Sequence, residues 1–328
     1  MGRFLFKRLA NYLVLVIVAT TMAYVIASLV LNPRAAYEGR NPPPPAAVID
    51  QQLTEYGVND KDPLLGRYAD WIGGVVLHGD FGKTVTGGDI NDQLGSRALV
   101  SLRLLVLGSI IGAVVGVLVG VMSAVKQYQF TDRFFTGFSF LFIATPVFFT
   151  AVLLKFGALQ INEAAGTTLL YYTGYETPGL DAGFWGSFKD QVAHLILPTL
   201  SIALGLIAFF SRYQRNAMLD VMGSDFLRTA QAKGLTRRRA LYKHGLRTAL
   251  IPMATLLAFS FGTLAVGATF TEKIFGWHGM GEWLVDSIRG NDINVTATVA
   301  MFTAVFILFS GFLSDVLYAV LDPRVRVS

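Results

Sequence analysis

The chain has no cysteine among its 328 residues, so disulfides, thiolate metal centres and cysteine nucleophiles are excluded. Charge is scarce as well. Asp, Glu, Lys and Arg supply 15% of the residues, against about 25% in a soluble domain, too few to cover a water-facing surface. The histidines His78, His194, His244 and His278 are widely separated and offer no metal-ligand spacing. No G-x-S-x-G elbow occurs. Gly82-Lys83-Thr84 has the ending of a phosphate-binding loop, but the glycine such a loop needs five residues earlier is replaced by Leu77. The sequence therefore predicts a chain with no catalytic site, no metal and no cofactor of its own. If ATP drives its function, another chain must bind the ATP and its Mg.

What the chain has instead is apolar surface. Hydrophobic residues make up 53% of it, gathered into runs nearly free of charge. Each run matches the roughly 20 residues a helix needs to cross about 30 Å of hydrocarbon. Spans are expected at 9–31, 99–125, 134–159, 192–211, 249–271 and 295–320, an all-α integral membrane protein with about six helices. The first run exceeds the 7–15 residues of a signal-peptide core and no clear small-residue cleavage site follows it, so it reads as a retained helix.

Basic residues orient the set. Arg3, Lys7, Arg8, Lys126, Arg133, Arg324 and Arg326 fall on one side, with nine more bases between Arg212 and Arg247 opposed only by Asp220 and Asp225. The other side is acidic, with Glu163, Glu176, Asp181 and Asp190 against a single Lys189. The positive-inside rule then makes both termini cytoplasmic, as an even number of spans requires. The net charge of +5 is thereby accounted for without nucleic acid. The expected organisation is a cytoplasmic N-terminus and first helix (1–31), an external segment (32–98), a membrane core (99–320) with a cytoplasmic segment (212–248), and a cytoplasmic tail (321–328).

Between the first two spans, a proline run at 42–45 precedes two expected amphipathic helices, 46–56 and 63–77. Leu64, Leu65, Tyr68, Ile72 and Val75 are placed on one face of the second. Gly108, Gly112, Gly116 and Gly120 recur every four residues, a bare strip for close helix packing. Pro146 is expected to kink the third span. Arg103, Lys155 and Asp315, each near a span end, are expected to snorkel.

The most informative stretch is cytoplasmic, Ser224-Asp225-Phe226-Leu227-Arg228-Thr229-Ala230-Gln231-Ala232-Lys233-Gly234-Leu235. Ser224 suits an N-cap and Gly234 a left-handed helix end. Thr236 can cap a second short helix, and Pro252 fits the start of the fifth span. With Ala230 and Gly234 at its second alanine and its glycine, this stretch resembles the Glu-Ala-Ala-x-x-x-Gly coupling segment of binding-protein-dependent ABC importer permeases, in the form of the dipeptide and oligopeptide branch. Arg228 and Thr229 stand where the signature has Glu and its first alanine. Glu272-Lys273-Ile274-Phe275-Gly276-Trp277-His278-Gly279-Met280-Gly281 is similar to the branch's outer loop, and 315–324, 2–9 and 77–82 also fit.

The resemblance implies a type I importer permease fold in a bacterial inner membrane. It implies partners too: a second homologous permease, two ATPase domains or subunits, an extracytoplasmic peptide-binding protein and the lipid bilayer. Phe226, Leu227, Thr229, Ala230, Ala232, Lys233 and Gly234 would couple to an ATPase. Phe275, Trp277 and Met280 would face the binding protein. Peptides are the expected cargo, with heme or nickel as alternatives within the family. An ion-coupled carrier would need intramembrane ion ligands that the runs lack.

Overall fold

The computed structural model describes residues 2–38, 41–42 and 44–321. Pro43 of the proline run and residues 322–328 of the expected tail lie outside them. Every regular element among the described residues is a helix. In order these are α1 (Gly2–Val30), α2 (Ala35–Glu38), α3 (Ala46–Glu55), α4 (Leu64–His78), α5 (Ile90–Val125), α6 (Phe130–Ala144), α7 (Val147–Ala165), α8 (Gly183–Met222), α9 (Asp225–Ala232), α10 (Arg237–Ala240), α11 (Leu246–Phe275), α12 (Met280–Arg289) and α13 (Ile293–Leu321).

Five helices among the described residues are long and apolar enough to cross a membrane, at Phe6–Val30, Ile90–Val125, Val147–Ala165, Gly183–Met222 and Ile293–Val316. The remaining expected span falls within α11, 30 residues long. The expected third span is two helices. Thr145 turns extended (φ −92°, ψ 122°) ahead of Pro146, so α6 stops and α7 starts afresh. Proline ejects its predecessor from the helical region, and here the outcome is a break, not a kink. Pro252 is likewise displaced from its expected place. It sits inside α11, which is joined to α10 through a π-helical turn at Leu241–Gly245.

The centre of the molecule is the pair α5 and α8. A Cβ added at Gly112 would come within 2.5 Å of Leu206 Cβ, and one at Gly116 within 2.7 Å of Phe210 Cβ. At Gly120 it would meet backbone, the Ser211 carbonyl at 2.6 Å. Gly108 is looser, 3.0 Å from Ile202 Cγ2. All four glycines thus line one face of α5 against α8. Helices α11 and α7 close over this pair around Leu104, Leu105, Leu197 and Ile202.

Helix α1 packs along α13. Tyr12 donates to Asp315 at 2.8 Å and Arg8 pairs with it at 3.2 Å, so Asp315 is partnered inside the fold and does not snorkel. Lys155 donates to the Ile274 carbonyl, also in contrast to snorkelling, while Arg103 is exposed. The segment between α1 and α5 folds over the C-terminal end of α1 and the N-terminal end of α13, with Tyr37, Leu53, Val58, Trp71 and Val85 packed on Tyr24, Ala27, Ile293 and Ala297. The inward face of α4 is Leu64, Tyr68, Trp71, Ile72 and Val75. Leu65, expected on that face, is 78% exposed.

Candidate functional site

On the side that the basic residues assign to the cytoplasm, α9 lies between the C-terminal end of α8 and the N-terminal end of α11. Its hydrophobic residues do not all point one way. Leu227 is buried among Met218, Val221, Ala240, Leu241 and Ala249, and half-buried Ala230 leans on the same cluster. Phe226, Thr229, Ala232 and Lys233 are exposed. This corrects the expected docking set: Leu227 anchors the helix to its own chain, because an apolar side chain at that position finds the core before it finds a partner.

The end of α9 follows from Gly234, whose φ of +92° is open to glycine and strained for other residues. Its N–H donates to the Gln231 carbonyl at 2.9 Å and that of Leu235 to Ala230 at 3.2 Å. This is the Schellman pattern, completed by the apolar pair Ala230 and Leu235. The start departs from expectation. Ser224 sits at the N-cap, but its hydroxyl donates backwards to the Val221 carbonyl at 2.6 Å. Thr236 does cap α10, accepting from the Arg239 N–H at 3.3 Å.

Above the segment, Arg215 reaches from α8 to Asp132 in the first turn of α6, at 2.7 and 2.9 Å. Asp132 also accepts the Tyr128 N–H at 2.8 Å. The Arg215 guanidinium holds its carboxyl below the usual aspartate range, and burial opposes that shift. The clamp fixes the α5–α6 turn to α8. Sequence reading counted Arg215 only as one of the bases on its side and gave Asp132 no part.

The loop between α11 and α12 is the second expected site, and here the structure corrects the sequence reading. Phe275, Trp277 and Met280 are 1%, 3% and 3% exposed, so none offers a surface to a docked protein in this conformation. Phe275 and Trp277 fill the core with Leu104 and Leu197, while Met280 packs with Ile90, Trp283, Val295 and Val299. Large apolar side chains on a loop are covered by the chain itself when helices stand close enough. The glycines here serve close packing more than mobility. A Cβ on Gly279 would lie 2.5 Å from Ser101 Oγ, and one on Gly281 2.5 Å from Thr269 Cα.

The polar core of this loop was missed. Glu272 is buried at the end of α11, and its carboxylate accepts the Ser101 hydroxyl at 2.6 Å and the N–H groups of Gly281 and Glu282 at 2.8 and 3.0 Å. Ser101 accepts the Met280 N–H at 2.8 Å. Together they satisfy the open amides at the start of α12, and burial pushes the Glu272 carboxyl up to about 7. Gly174 donates to the Phe275 carbonyl at 2.8 Å, joining the α7–α8 loop to the same assembly. His278 meets Glu282 at 2.6 Å, and Lys273 meets Asp286 at 2.6 Å. No group of three or more metal-ligating side chains occurs among the described residues.

Residues 116–327 match the family described as the binding-protein-dependent transport system inner membrane component. Two 53%-identical relatives, each aligned over all 328 residues of both chains, are the oligopeptide transport system permease proteins OppB of Mycobacterium bovis and Mycobacterium tuberculosis. The dipeptide transport system permease protein DppB of Escherichia coli is 32% identical over 289 residues, covering 84% of each chain. A chain from the inward-facing MetNI methionine ABC transporter shares the fold at a TM-score of 0.55 and 18% identity, covering 71% of this chain and 98% of that one. The chain belongs to the family of binding-protein-dependent transport system inner membrane components.

Proposed function

We propose that the chain is a permease subunit of an ATP-driven importer of short peptides, seated in a bacterial inner membrane with both termini cytoplasmic. The observation that carries the reading is the excursion between α8 and α11. Its helix α9 is anchored inwards by Leu227 and closed by Gly234, and it presents Phe226, Thr229, Ala232 and Lys233 outwards. A helix held against the inner ends of two membrane helices passes a displacement of a docked partner to both. Peptide cargo is supported by the names of the oligopeptide and dipeptide relatives.

The chemistry of that cargo calls for the remaining partners. A zwitterionic peptide pays heavily to enter hydrocarbon unpaired, so it needs an aqueous path that opens to one side at a time. Six spans are too few to enclose one, and a second homologous permease completes it. Two ATPase subunits bind ATP and Mg and dock on α9, and an extracytoplasmic peptide-binding protein delivers the cargo. The chain itself hydrolyses nothing.

The test is uptake of a labelled peptide by liposomes carrying the assembled importer. Thr229→Trp enlarges the exposed face of α9, and Gly234→Val opposes the left-handed turn. Both are expected to abolish uptake and peptide-stimulated ATP hydrolysis while the subunit remains in the membrane at normal amount. A Phe226→Cys variant is expected to cross-link to an ATPase subunit. Wild-type uptake by both substituted complexes would reduce α9 to an ordinary basic loop.

A further inference from the structure

Helix α4 has three sides where an ordinary amphipathic helix has two. One side, with Leu64, Tyr68, Trp71 and Val75, packs inwards. A second carries Leu65, Ala69, Val76 and Leu77. These positions share one broad face at about 100° per residue, and Leu65, Val76 and Leu77 are 78%, 70% and 76% exposed. The remaining strip holds exposed Asp70 and His78, while Arg67 is turned inwards and buried. An exposed apolar face beside a narrow polar one is the pattern of a helix lying along a membrane interface.

The contacts of α4 with α1 set its depth. The Tyr68 hydroxyl bonds that of Thr21 at 2.5 Å, and the Tyr24 ring packs on Tyr68 and Trp71 with centroids 5.4 and 5.1 Å apart. Tyr24 lies six residues before Val30, the last residue of α1, a drop of about 9 Å along the helix axis. Over that interval α1 still exposes Ile26, Leu29 and Val30, so the apolar surface that lipid covers continues outward past the level of α4. Water at that level would bathe the exposed apolar faces of both helices at once.

We infer that α4 is seated in the outer leaflet of the bilayer, with Leu65, Ala69, Val76 and Leu77 against lipid and Asp70 and His78 toward the headgroups. The external segment is then partly immersed. It forms a collar that fixes the outer end of α1 at a set depth and leaves α3 and the Arg34–Asp50–Asp60 ion pairs above the surface.

The chain's lack of cysteine makes the test direct. Leu65→Cys, Asp70→Cys and Val76→Cys chains are spin-labelled, assembled with their partners and placed in liposomes. At positions 65 and 76 collisions with oxygen are expected to exceed those with a water-soluble nickel chelate severalfold, with the ratio reversed at 70. Chelate access dominating at all three positions would put α4 in water and overturn the inference. Exclusion of both reagents from 65 and 76 would mean that a protein covers the face, which overturns it equally.

Discussion

The Glu272 carboxylate closes three hydrogen bonds that tie α5, α11 and α12 together. An unmet buried donor costs about 1–3 kcal/mol, so Glu272→Ala strands several at once. The substituted protein is expected to melt well below the wild type in detergent, with Glu272→Gln intermediate; equal melting would remove the structural role. Trp277→Ala is expected to cost about 3–5 kcal/mol as an unfilled cavity and to lower the amount of folded protein. Selective loss of ATPase stimulation in a normally stable complex would restore Trp277 as a contact for the binding protein. At Asp132 the sign is that of a lowered carboxyl: stability from the Arg215 pair is present above the ordinary aspartate value and fades as pH falls through the lower folded value. Asp132→Asn is expected to be less stable at neutral pH, the gap closing only below about pH 4. Gly234 was legible because a glycine after a helical stretch has few other reasons to be there. Glu272 was not, since its partner Ser101 lies 171 positions away.

At the scale of elements, periodicity showed which face of α5 is bare but not what fills it. The partner is α8, and the approach is graded. Gly120 faces backbone atoms of α8, which cannot swing aside, whereas Gly108 faces the Ile202 side chain. Overpacking costs about 1–3 kcal/mol where neighbours cannot yield. Gly120→Ala is therefore expected to lower the melting temperature clearly and Gly108→Ala only slightly. A reversed order would mean that the α5–α8 contact is looser than its geometry. Proline positions were legible as irregularities, but their outcome depends on the neighbours. Pro146 ends α6 by holding Thr145 extended, whereas Pro252 rides inside α11 beyond the π turn. The docking face of α9 came from the resemblance to the importer permeases, and a motif match cannot distinguish a residue that packs on its own chain, such as Leu227, from one that waits for a partner.

At the scale of the whole molecule, the spans were legible because lipid imposes a composition that no tertiary contact can override. Orientation rests on a separate signal, the placement of Lys and Arg, and so can be wrong even where every span is right. Two exposed positions separate the possibilities. Lys61 lies in the external segment beside Asp50, and Arg238 lies in the basic run over the Tyr242 ring. In a chain without native thiols, Lys61→Cys is expected to react with a membrane-impermeant maleimide in spheroplasts. Arg238→Cys is expected to react only after permeabilisation. Both positions are on the surface, so neither change disturbs a core. The opposite pattern would invert the molecule, place α9 outside the cell away from any ATPase, and remove the basis for coupling at Gly234.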